Sequence, residues 1–153
     1  MLKDDIRKIL EEVKRGKITV DEALKTLKDL PLKDVGVALL DTHRPLRQGL
    51  PEVILGEGKT AEQIVAIASS LIKSKNHVLI TRVDEKKASV VRNSLPLLKY
   101  DPISRTLLYK HGRIKRAGKG VILIVSAGTS DIPVAEEAYV TATFLGNRAE
   151  KLY

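Results

Sequence analysis

Between residues 52 and 81 the sequence reads "EVIL", then a stretch whose apolar residues recur every three or four positions, then "HVLIT". Short apolar β-runs on either side of a helical period leave few folds open, because each element must bury one face against the next layer. The helical stretch opens with Thr60 and carries Gln63 three residues on, the spacing of a capping box. It continues through Ile64, Val65, Ile67, Ala68, Leu71 and Ile72. The alternation extends both ways. "VGVALLD" (35–41) reads as a buried strand. Asp84 reads as the N-cap of a helix lined by Ala88, Val91 and Leu95. "LLKYD" and "TLLYKH" read as strands flanking a turn at Pro102. The expected class is α/β with a mixed sheet.

Two flanking regions differ from this body. Leu2, Ile6, Ile9, Leu10 and Val13 form one helical stripe, closed by Gly16. Thr19 and Glu22 form a second capping box, and Val20, Ala23, Leu24, Leu27 and Leu30 a second stripe ended by Pro31. This predicts a helical hairpin over 1–30 that cannot bury its apolar face alone. At the other side, "GRIKRAGKG" (112–120) has the Gly and charge content of an exposed linker. The expected organisation is a hairpin over 1–30, an α/β domain over 31–116 and a third segment over 117–153. That segment reads as a strand "VILIVS", a loop "AGTSD", a helix from Pro133 to about Leu145 stopped by Gly146, and the start of another strand.

Composition removes several function classes. The chain contains no cysteine, which excludes disulfides, thiolate metal sites and a cysteine nucleophile within these 153 residues. No apolar run approaches the roughly 20 residues of a membrane span, and no signal-peptide pattern opens the sequence. A cytoplasmic protein without a membrane partner is expected. Of the formal charge of +8, nearly all comes from residues 76–118, which hold ten Lys or Arg against three Asp or Glu. Such a block attracts anions, although a solvated basic face is the commoner origin. With four Tyr, one Phe and no Trp, a stacking platform for bases is hard to build, so nucleic acid is not the expected partner.

Two stretches could carry chemistry. In "DTHRPLRQGLPEVILGEGKT" (41–60), Arg44 and Arg47 have the spacing to clamp a carboxylate or phosphate, and Lys59 stands beside a helix N-terminus that can hold an anion. A Walker loop is excluded, because the Gly it needs five residues before Gly58 is replaced by Val53. These three cations form a candidate anion site. In "AGTSD", Gly128 permits close backbone approach, Thr129 and Ser130 offer hydroxyls, and Asp131 can accept from a sugar hydroxyl at a helix N-terminus. A plain N-cap role for Ser130 or Asp131 competes with that reading. His43, His77 and His111 are too scattered for a local metal motif.

"DTHRPLRQGLPEVILGEGKTAEQIVAIA" and "VSAGTSDIPVAEEAYVTATFLGNRAEKLY" resemble the pyridinium biscarboxylic acid mononucleotide synthases (LarB-type) of nickel-pincer cofactor biosynthesis. "LITRVDEKKASVVRNSLPLLKYDPISRTL" is similar too, so the resemblance covers most of residues 30–153. That family is similar in turn to aminoimidazole ribonucleotide carboxylases, whose Gly-Ser-x-Ser-Asp loop corresponds to residues 127–131 here, with Ala127 at the first Gly. The resemblance implies a Rossmann-like carboxylase domain beginning near residue 117. Its loop Gly128, Thr129, Ser130 and Asp131 would face the ribose phosphate of a nucleotide. It implies ring carboxylation of nicotinic acid adenine dinucleotide with pyrophosphate hydrolysis, through an adduct with a cysteine. Carbon dioxide or bicarbonate would be co-substrate, magnesium a possible helper, no cofactor would be tightly bound, and a homo-oligomer would form. Lacking the cysteine and most of that domain, these residues alone are expected to hold no catalytic side chain and to be inactive. The other expectations are an aminoimidazole ribonucleotide carboxylase relative, or a non-catalytic nucleotide- or RNA-binding module.

Overall fold

The computed structural model describes residues 2–28, 32–34, 39–41, 52–114, 116 and 118–153. The chain divides into two compact units, Met1–Glu52 and Val53–Tyr153.

In the first unit, helix α1 (Leu2–Lys14) and helix α2 (Val20–Lys28) form the expected hairpin. Gly16 takes the left-handed conformation that ends α1 (φ 68°). The capping box at α2 is complete: the Glu22 amide donates to Thr19 Oγ1 (3.2 Å), and the Thr19 amide donates to Glu22 Oε2 (2.8 Å). Ala23 is buried, whereas Leu10, Val20 and Leu24 are more than half exposed. Strand β1 (Leu32–Asp34) pairs antiparallel with β2 (Leu39–Asp41), placing Leu32 opposite Asp41. Of the expected strand 35–41, residues 35–38 lie outside the described residues. β1 was not legible, since "LKD" after Pro31 has a single apolar residue and no alternation.

The second unit is built on a four-stranded mixed sheet of order β3-β4-β6-β5. Its strands are β3 (Val53–Leu55), β4 (Val78–Thr81), β5 (Lys99–Asp101) and β6 (Thr106–Tyr109). β3 and β4 are parallel, with Ile54 opposite Ile80. The β4–β6 and β5–β6 pairs are antiparallel. Helix α3 (Ala61–Lys73) connects β3 to β4, and helix α4 (Glu85–Ser94) packs against α3. Both begin where the sequence places them. The Gln63 amide donates to Thr60 Oγ1 (3.3 Å) and the Thr60 amide to Gln63 Oε1 (3.0 Å), while Asp84 Oδ1 accepts the Lys87 amide (2.8 Å). The core lies between these helices and β4, all of whose residues are buried; Ile64, Ala68, Leu79, Ile80, Val91 and Leu107 are each essentially inaccessible. The β5–β6 turn is closed by Asp101, which accepts from the Ile103 amide and the Ser104 hydroxyl.

The described residues between β6 and β7, 110–114, 116 and 118–120, lie in neither helix nor strand. β7 (Val121–Val125) pairs parallel with β8 (Arg148–Leu152), and helix α5 (Ile132–Phe144) joins them. Gly146 (φ 85°) ends α5 as expected. α5 packs on β7 and β8 and also reaches β4, where Phe144 is buried edge-on against the His77 ring. The protein is therefore α/β, with a helical hairpin, a mixed sheet and a strand–loop–helix–strand after it. No helix among the described residues is long and apolar enough to cross a membrane.

Candidate functional site

The loop that follows β7 lies at the carboxyl end of a parallel strand pair, the edge where open α/β sheets receive ligands. The Ser126 amide donates to Leu152 O (3.0 Å), carrying the ladder one step past β7. Ser126 Oγ then donates to Gly128 O (3.3 Å), and the Asp131 amide donates to the same carbonyl (3.0 Å). These bonds fold Thr129–Asp131 into one 3-10 turn that leads directly into α5. A Cβ on Gly128 would sit 3.3 Å from Asp131 Oδ2 and 3.6 Å from Ser130 Oγ, so both side chains curl over this glycine. Thr129, Ser130 and Asp131 are all exposed.

Asp131 occupies the N-cap position of α5, yet no side chain there accepts a helix amide. The Ser130 hydroxyl is 3.5 Å from Asp131 Oδ1, so these two groups face each other rather than the helix end. The capping role that competed with a ligand role is thus not the one adopted. α3 and α4 behave otherwise. α3 has its full box, and the Glu62 carboxyl is held below its ordinary pKa by its own amide first and by the Thr60 hydroxyl second. α4 has Asp84, whose pKa is lowered chiefly by the Lys87 amide it accepts. The helix end beside Lys59 has a side-chain cap, and the helix end beside Ser130 has none.

Lys59 itself is half-buried in the turn between β3 and α3, with its amide donating to Gly56 O (3.2 Å). Arg44 and Arg47, expected to converge with it, lie outside the described residues. Among the described residues no group of three His, Asp or Glu side chains is arranged to hold a metal ion.

Three clusters went unread in the sequence because their members are distant along the chain. Arg82, directly after β4, has left-handed backbone (φ 54°) and reaches two carboxylates, Glu57 through Nη1 (2.9 Å) and Glu137 on α5 through Nε (3.6 Å). Those carboxylates, Glu57 first, raise the pKa of its guanidinium. On the other side of α5, Lys151 Nζ meets the nearly buried Glu136 carboxylate (2.5 Å) and sits over the Tyr139 ring (4.6 Å). The hydrogen bond to Glu136 is the main reason its pKa is raised. Third, His77 Nδ1 accepts the His111 amide (3.0 Å), which fixes the end of β6 to the start of β4.

Comparison with known proteins agrees with this architecture. A curated protein of Methanocaldococcus jannaschii, described as uncharacterized, is 33% identical over 155 residues; the match covers 97% of this chain and 60% of that relative's length. Residues 32–111, spanning the mixed sheet with α3 and α4, match the model of the LarB/PurE-like N-terminal domain. The match takes in over half of the residues, and on that ground the chain belongs to the LarB/PurE-like N-terminal domain family, a carboxylase-related family.

Proposed function

We propose that the loop 127–131 takes the phosphate–ribose end of a nucleotide. We further propose that the chain acts as the N-terminal part of a carboxylase for nicotinic acid adenine dinucleotide in nickel-pincer cofactor synthesis. The observation that carries this reading is the opening of α5. A 13-residue helix begins there with no side-chain cap, beside a serine hydroxyl and a carboxylate that are both solvent-exposed. A phosphate can take the place of the missing cap, accepting from the first α5 amides and from Ser130 Oγ, where the helix dipole favours negative charge. Asp131 accepts from a ribose hydroxyl. Carbon dioxide or bicarbonate would be the co-substrate of ring carboxylation. The covalent step needs a thiolate that these residues do not contain, so their role is binding and orientation rather than turnover.

A small nucleotide is favoured over nucleic acid, because part of the basic block is engaged internally. Arg82 is tied to Glu57 and Glu137, and Lys87 Nζ donates to Gly56 O (3.1 Å). Calorimetric titration with nicotinic acid adenine dinucleotide, AMP and aminoimidazole ribonucleotide tests the reading. The first should bind most tightly, and Ser130→Ala and Asp131→Asn should each weaken it by roughly tenfold, the scale of one charge-assisted hydrogen bond. Equal affinity of wild type and both variants would refute the site. Preference for aminoimidazole ribonucleotide would move the assignment to the purine branch.

A further inference from the structure

We propose that Arg82 is a positioning residue for the nucleotide loop, fixing α5, and with it residues 127–131, against the carboxyl edge of β3 and β4. The proposal rests on the nucleotide-binding reading of that loop for its purpose, but not for its geometry.

α5 is fastened to β4 at two places. Phe144, in its last turn, is buried against the ring of His77, just before β4 begins. Glu137, seven residues earlier and so on the same helix face, meets Arg82, just after β4 ends. Helix and strand therefore run in opposite directions with a tie at each end. The Phe144 tie is apolar and lies far from the loop. The Arg82 tie is the one near the helix end that carries Ser130 and Asp131, since Glu137 stands only about 9 Å of helix rise from Asp131.

The base beneath Arg82 is rigid. Glu57, its closer carboxylate, follows Gly56, whose amide donates to Thr81 O (2.8 Å). A Cβ on Gly56 would lie 2.8 Å from that oxygen and 2.6 Å from Val83 Cγ2, so the turn is pressed against the end of β4. Lys87 Nζ holds Gly56 O from the α4 side. The Arg82 backbone adopts a conformation uncommon outside glycine, and the next amide, Val83, donates to Arg105 O (2.9 Å). The guanidinium thus spans from a fixed turn to a helix whose other tie to β4, at Phe144, lies at its far end. A planar fork with several donors can serve two carboxylates at once, which an ammonium does less well. Because Arg82 and Glu57 are more than half exposed, the ion pairs add little to global stability. Their effect is on where the start of α5 sits.

The test is hydrogen exchange on the full chain, with AMP titration as a second readout. In Arg82→Met and in Glu137→Gln, amides of 127–134 should exchange about threefold to tenfold faster. Those of α3 and β4 should be unchanged, and Arg82→Lys should fall between. AMP affinity should drop by a similar factor. Unchanged exchange at 127–134 in both variants overturns the proposal, as does faster exchange spread equally through α3 and β4. If Arg82→Met fails to fold, Glu137→Gln decides the matter. Should wild type bind neither AMP nor nicotinic acid adenine dinucleotide while loop exchange still depends on Arg82, the nucleotide reading fails and the positioning stands.

Discussion

At the scale of residues, His77 joins local chemistry to stability. Its Nδ1 accepts the His111 amide, so the neutral ring carries its proton on Nε2. Burial first, then the charges of His111 and Lys110, lower its pKa. The unfolded chain therefore binds a proton here at a pH where the folded chain does not, and the fold loses stability as pH falls from about 6.5 toward the lowered value. His77→Asn, which keeps an acceptor near Nδ1, should flatten the pH dependence of the denaturation midpoint in that window. A slope identical to wild type would show that His77 titrates freely. The same histidine shows what a sequence makes visible. The caps at Thr60 and Asp84 were legible because each partner lies three residues away. His77 could be assigned to a strand start, but its partners His111 and Phe144 come from elements that only folding brings near. Arg82 was invisible for the same reason. Ser130 and Asp131 could be placed at the start of α5, while their failure to cap it depends on backbone angles that composition does not encode.

At the scale of elements, the β3–α3–β4 unit depends on how tightly the turn after β3 meets the end of β4. Gly56→Ala places a methyl against a backbone oxygen that is itself bonded to the Gly56 amide. Neither atom can yield without opening the β3–β4 ladder. We expect a loss of roughly 1–3 kcal/mol, the range for overpacking a filled site, measurable by urea denaturation; a loss under about 0.5 kcal/mol would mean the turn relaxes freely. Leu79→Ala, at the fully buried centre of β4, should cost more, about 2–5 kcal/mol. Tyr100→Phe tests a polar tie in the same layer. Its hydroxyl donates to Val83 O (3.0 Å), and its removal should cost about 1 kcal/mol. The strands and helices of this unit were readable because apolar period and cap agreed at each element. The short strand β1 was not, because three residues carry too little pattern to declare a strand, whereas β2 falls within the expected strand 35–41.

At the scale of the whole molecule, the β7–β8 pair stands apart from the sheet of the mixed domain. Parallel strands are normally covered on both faces, yet Leu123 is 58% exposed, Val125 63% and Leu152 58%. α5 covers one side of the pair but is apolar nearly all round, the pattern of a buried helix, and Val134 in its first turn is 71% exposed. Large exposed apolar side chains in this number favour an interaction site, and among the described residues the outer edges of β7 and β8 pair with no further strand. We expect the 153-residue chain in solution to cover this surface with a second copy. The same stretch that carries the nucleotide loop would then form the interface. Sedimentation should show concentration-dependent association. A lysine at an apolar position of the pair, as in Val125→Lys, should weaken it by at least tenfold, about 1.4 kcal/mol, without loss of the α3–β4 core. Leu10→Lys, on the hairpin of the first unit, should leave association unchanged. A chain that stays monomeric at its highest soluble concentration would refute self-covering of β7–β8. Association abolished by Leu10→Lys instead would move the interface to the helical hairpin, whose own apolar stripe is open at Leu10, Val20 and Leu24.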